Sequence, residues 1–158
     1  MLLPVGCSMA IQNKNVRTEH FNPTGVEGFE WFTHMAYRAG LGMPRPRNVL
    51  IPAIMAGIAM GYKKINLLGA DHSWLTTLSV DDDNTVVTVQ PHFYKDNNEE
   101  KKRVKSVYAD VRLHDILLSF HLAFKSYHAI ARYAVGRGVE IVNSTENSFI
   151  DAFKREKL

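Results

Sequence analysis

Apolar and polar positions along the chain fall into blocks whose period changes from helix-like to strand-like and back. From Val26 to Ala39, Phe29, Phe32, Met35, Ala36 and Ala39 recur at helical spacing, which predicts a helix burying that face. Thr24 and Glu27 have the spacing of a capping box, and Gly40 supplies a stop. After an extended Pro44–Arg45–Pro46 entry, Asn48 is placed to cap a second helix reaching about Met60, with Pro52 tolerated only in its first turn. That helix is apolar nearly all round and is expected to be buried. Ile65 to Gly69 reads as a buried strand, Thr85 to Gln90 as a β-rich run after the turn "DDDN", and Val139 to Asn143 as a short strand. The longest helix spans about Leu113 to Val135, with Leu113, Ile116, Leu117, Phe120, Phe124, Tyr127 and Ala131 on its apolar face and Gly136 and Gly138 ending it. Ser148 and Asp151 have the pattern that opens a last helix over Phe149 to Arg155. The opening "MLLPVGCSMA" reads as an internal strand and its turn, and Asp96 to Lys105 as a solvated polar segment.

Apolar strands separated by helices are α/β grammar and favour a mostly parallel sheet. The expectation is a single α/β domain over residues 1–158, with 72–112 as a lid-like excursion. In such sheets ligands bind beyond the carboxyl ends of the strands. Gly69, Asp71, His72 and Ser73 therefore fall where the fold class puts its site, and Asn143 and Ser144 are expected at the same edge.

Composition narrows the class. The chain has 158 residues, 46% hydrophobic and 22% charged, with net charge +3, which suits one globular domain and a phosphate-bearing ligand rather than a nucleic acid. Its one cysteine, Cys7, excludes an intrachain disulfide framework and a cysteine-based zinc site, and makes a reducing compartment the default. No apolar run reaches the ~18 residues of a membrane span, and the N-terminus lacks the basic start of a signal peptide. A cytoplasmic protein, free or peripheral to the inner membrane, is expected. P-loop, dinucleotide and nucleophile-elbow motifs are missing, so hydrolase and dehydrogenase readings drop.

The remaining polar positions each have two readings. Gly69 at a strand end lets a ligand approach the backbone. Asp71 fits a sugar or ribose hydroxyl, or equally a turn cap. His92 and Tyr94, in "QPHFYKDN", fit a general base and a phosphate-binding phenol, or a half-buried aromatic turn. His114, His121 and His128 recur every seven residues. Neighbours are then about two turns (~10 Å) apart on one helix, too far for a shared metal. The favoured reading for at least two of them is a boundary histidine satisfied locally. "NSTENSF" could offer backbone N–H groups to a phosphate at a coming helix, or simply cap it.

At "GYKKINLLGADHSW", "HFY" and "YAVGRGVEIVNSTENSFIDAFKR" the chain resembles bacterial surface-polysaccharide proteins related to the Campylobacter-type sialyltransferases, glycosyltransferase family 42. It is also similar to the Rossmann-like domain of the MptE-like proteins. The resemblance covers about Asn48 to Arg155 and implies a Rossmann-like three-layer fold. It places Gly69 and Asp71 in a CMP-sugar site. Counting back from "VEIVNSTENS" puts the family's catalytic histidine at His121, mid-helix in the periodicity, so His92 with Tyr94 is its rival. Tyr94 or Tyr108 would meet the leaving phosphate. Both families also use an N-terminal turn of the form "GNGPS", which this chain lacks. It is thus expected to be a C-terminal portion, incomplete at the sheet's N-terminal side, or to have lost its nucleotide half.

Three functions follow from the resemblance. The first is a sialyltransferase-like glycosyltransferase of surface-polysaccharide assembly, with a nucleotide-sugar donor, a glycan acceptor and no cofactor. The second is MptE-like pyrophosphoryl transfer to a pterin alcohol, with Mg²⁺ on carboxylates such as Asp81–Asp83. The third is a non-catalytic remnant that packs against a partner, including a second copy as a homo-oligomer.

Overall fold

The computed structural model describes residues 1–9, 15–88 and 111–157. Its strands are β1 (Leu2–Pro4), β2 (Glu19–Phe21), β3 (Lys64–Leu67), β4 (Leu78–Val80), β5 (Val86–Thr88), β6 (Glu140–Asn143) and β7 (Lys154–Arg155). The helices are α1 (Glu30–Arg38), α2 (Leu50–Ala59) and α3 (Leu113–Gly136), with a turn of 3₁₀ helix over Ser73–Thr77.

The class is α/β. β3, β6 and β7 form a parallel sheet in that order, β3 and β6 running in register from Lys64↔Glu140 to Leu67↔Asn143. β1 and β2 form a separate parallel pair, in agreement with a strand at the N-terminus, and β4 and β5 an antiparallel hairpin turned by Asp81–Asn84. Strand period 2 puts Ile65, Leu67, Ile141 and Asn143 on one face. Against that face pack Ile51, Ile54, Met55 and Ile58 of α2 and Tyr127, Ile130 and Ala134 of α3, closed by Ile150 and Phe153. The opposite face carries the exposed Lys64, Asn66, Glu140 and Lys154. α2 follows expectation: Asn48 Oδ1 accepts the N–H groups of Leu50 (3.1 Å) and Ile51 (3.3 Å), and Pro52 sits in the first turn.

Three elements differ from the pattern-based expectation. α1 begins at Glu30, not Val26, because the preceding residues pair elsewhere: Val26 N–H bonds Met43 O (2.9 Å) and Gly28 stands at φ +143°. Its inward face is Thr33, Ala36 and Tyr37, whereas Phe29 (79% exposed), Phe32 and Met35 point out. Tyr37 decides this orientation, since its hydroxyl donates to Val26 O (2.9 Å) and its ring meets that of Tyr133 edge-on. α3 has the predicted length, but its buried set is Ile116, Ala123, Ser126, Tyr127, Ile130, Tyr133 and Ala134, while Leu113 and Leu117 are exposed. The expected last helix is absent. Phe149 to Asp151 are extended and Lys154–Arg155 add a strand, because Ser148 and Phe149 bond to the neighbouring strand exit instead of opening a helix.

Candidate functional site

β3 and β6 end side by side, and their exits are stitched together. Ser144 N–H donates to Leu67 O (3.0 Å), Ala70 N–H to Thr145 Oγ1 (3.0 Å), Ser148 Oγ to Ala70 O (2.6 Å) and Phe149 N–H to Asp71 O (2.7 Å). Asn143, 1% exposed, directs the turn: its amide donates to Ser148 Oγ and Ile150 O, and its Oδ1 accepts Thr145 N–H. Arg155 of β7 then donates to the carbonyls of Thr145, Ser148 and Ile150. Three residues adopt left-handed backbone here: Gly69 (φ +68°), His72 (φ +52°) and Asn147 (φ +52°). For His72 and Asn147 that conformation costs energy, and such outliers concentrate at functional sites.

Asp71 is oriented by its neighbours, its Oδ1 accepting His72 N–H (2.9 Å) and its Oδ2 accepting Ser73 Oγ–H (2.9 Å). The next residue turns inward. His72 is 8% exposed, its ring lies 4.1 Å from that of Trp74, and Trp74 stacks on Phe120. His72 Nε2 is 2.6 Å from Tyr127 Oη, which is 3.0 Å from Asn48 Oδ1. Asn48 Oδ1 already accepts two backbone N–H groups, so Tyr127 must donate to it and accept from His72. The imidazole therefore carries its proton on Nε2. Burial pushes the His72 pKa down to about 4, against a smaller opposing pull from Asp71, and pushes the Tyr127 hydroxyl up to about 12. Both are neutral near pH 7. Among the described residues, Asn48 Nδ2 and Ser144 Oγ are buried without a partner.

The structure thus brings Gly69, Asp71, His72, Ser73, Asn143 and Ser144 to one edge, as the strand pattern predicted. It turns Asn143 and Ser148 to internal bonds, and with no helix after them the "NSTENSF" turn has no helix N-terminus to offer a phosphate. His121 is exposed in mid-helix and lines a groove of about 500 Å³ with Leu117, Phe120 and Phe124 of α3 and Leu75 of the 3₁₀ turn; Gly69, Asp71 and Ser73 are not among its lining residues. His114 and His128 are surface residues beside Asp115 (3.4 Å) and Asp151 (3.0 Å), as boundary histidines. Asp81 and Asp83 shape the β4–β5 turn, where Asp83 Oδ1 accepts Thr85 N–H. His92, Tyr94, Tyr108, Gln90 and the Asp96–Lys105 segment lie outside the described residues.

Sequence reasoning missed Tyr127, Trp74 and Thr145. Tyr127 stood in the apolar stripe of α3, and nothing local marks a hydroxyl whose partners lie 55 and 79 residues away.

No protein-family model, curated protein or solved structure matches the chain. Among the described residues, no helix is long and apolar enough to cross a membrane, and no three His, Cys, Asp or Glu side chains cluster to hold a metal ion.

Proposed function

We propose that this chain is a Rossmann-like glycosyltransferase domain of the family 42 sialyltransferase kind, acting on a nucleotide-sugar donor and a glycan acceptor. One observation carries the reading: the Gly69–Ser73 and Asn143–Ser148 turns meet at the carboxyl ends of two parallel strands, where open α/β sheets take their ligands. It is supported by the open space where a Gly69 side chain would lie, by the oriented Asp71 carboxylate, and by the buried orphan atoms of Asn48 and Ser144.

In this reading Gly69 admits the donor to the backbone, and Asp71 and Ser73 hold its hydroxyls. The His72–Tyr127–Asn48 chain positions the turn rather than transferring protons, because His72 is buried and neutral. The acceptor hydroxyl attacks the anomeric carbon, the bond from that carbon to the phosphate oxygen breaks, and the nucleotide leaves with the electron pair. His121, which lines the groove beside Leu75 and Phe120, is assigned to take the acceptor's proton.

Calorimetric titration with CMP, without metal, tests the reading. Saturable binding is expected, weakened about tenfold or more in Asp71→Ala by loss of a charged hydrogen-bond acceptor. Binding only of ATP with Mg²⁺ would replace it with pyrophosphoryl transfer. Binding of neither, by a folded monodisperse chain, would remove donor binding from this chain.

A further inference from the structure

A second cleft, of about 300 Å³, lies between α1, the Pro44–Arg45 segment and α3. Into it project three cations, Arg45, Lys125 and Arg132, and two carboxylates, Glu27 and Glu30. Arg45 Nη2 is 2.7 Å from Glu27 Oε2, Lys125 Nζ is 3.3 Å from Glu27 Oε1, and Arg132 Nε is 3.4 Å from Glu30. Glu27 is therefore gripped by cations from two separate parts of the chain, the arrangement a bound anion would have.

Arg45 is anchored through its backbone. The Arg45 backbone is flanked by Pro44 and Pro46, its carbonyl shares the Ser126 hydroxyl proton (3.0 Å) with Leu122 O (2.8 Å), and Gly25 lies so near that a Cβ there would be 3.3 Å from Arg45 Cα. Arg45 Nε is buried with no partner among the described residues, so the guanidinium has donor capacity that Glu27 does not use. Glu27 precedes a glycine at φ +143°, and its side chain, 40% exposed, is open to water to the same degree as that of Arg45, 43%. The cationic seat is filled by the chain's own carboxylate, which meets water on one side.

We propose that this cleft is a binding site for a small organic anion, a phosphate or carboxylate on a molecule of about one sugar ring. The anion takes the place of the Glu27 carboxylate between Arg45 and Lys125, with Arg132 beside them, and Glu27 is its internal competitor. The volume sits at the low end of ligand clefts, ~300–1,000 Å³, which suits such a molecule better than a nucleotide sugar. The site does not rest on the donor reading above, and Lys125 and Arg132 also line the His121 groove.

The test is calorimetric titration of the whole chain with glucose 6-phosphate and with glucuronate, using glucose as the neutral control. Wild type is expected to bind at least one anion and not glucose, and which one binds assigns the group. Glu27→Gln, which removes the competitor, should bind it about two- to fivefold tighter, the scale of one exposed ion pair. Lys125→Met, at a 55% exposed position, should bind it about tenfold more weakly. A purely structural ion pair predicts no gain on Glu27→Gln. The proposal is overturned if neither anion binds wild type or Lys125→Met-sensitive binding is absent, if glucose binds equally, or if folded Glu27→Gln binds no tighter. Should Glu27→Gln fail to fold by circular dichroism, the Lys125→Met comparison decides alone.

Discussion

The two ends of the same parallel strands are held by opposite means. At their carboxyl ends, Asn143, Thr145, Ser148, His72, Tyr127 and Asn48 form uncharged hydrogen bonds, joined by the Arg155 guanidinium donating to backbone carbonyls, with Asn143 and His72 all but hidden from water. On the outer face near the other end, Lys64 and Lys154 meet Glu140 and Glu156 at 3.6 to 3.9 Å, with side chains 43 to 64% exposed. Both clusters bridge strands, but only the first has left water, and an unmade bond there has no solvent to replace it. Charge count is therefore a poor guide to what holds this sheet.

The sharpest way to break this comparison is Asn143→Ala. It removes three buried hydrogen bonds at once and leaves Thr145 N–H without its acceptor, while Ser148 Oγ keeps Ala70 O and Ile150 O keeps Arg155; at ~1 kcal/mol per bond it should cost about 3 kcal/mol in urea unfolding. Next comes pH. The His72 pKa falls from 6.5 unfolded to about 4 folded, so between these values the unfolded chain binds more protons. Stability is then full above pH 6.5 and declines as pH drops toward 4, by on the order of 2–3 kcal/mol, with no further loss from this group below that. Unfolding of wild type minus His72→Gln across that window isolates the effect, and identical pH slopes would refute it. Tyr127→Phe keeps the ring but removes the link between His72 and Asn48, and should cost about 1–2 kcal/mol. At the other end, Glu140→Gln loosens contacts to two lysines and should cost less than about 1 kcal/mol, shrinking further in high salt. A Glu140→Gln cost equal to that of Asn143→Ala would erase the distinction between the two ends.

Local chemistry was legible where it was self-sufficient. The Asn48 cap, the two strands near 65–69 and 139–143, which run over Lys64–Leu67 and Glu140–Asn143, and the extent of α3 are written in short-range patterns. Reading failed where a residue had two competent partners. Glu27 and Ser148 have the right spacing for helix caps, yet Glu27 bonds Arg45 and Lys125, and Ser148 bonds Ala70. In α1 the apolar count favoured Phe29, Phe32 and Met35, but the polar tip of Tyr37 chose the inward face.

By itself the sequence determined the α/β class, the parallel pairing implied by helix-separated apolar strands, and the polar identity of the strand exits, because each depends on neighbours within a few positions. Only the tertiary structure decided that His72 is buried and neutral, that Tyr127 and Asn48 complete its chain, and that Glu27 fills a cationic cleft. Those outcomes depend on which distant groups the fold brings within hydrogen-bond distance, and on how much water remains around them.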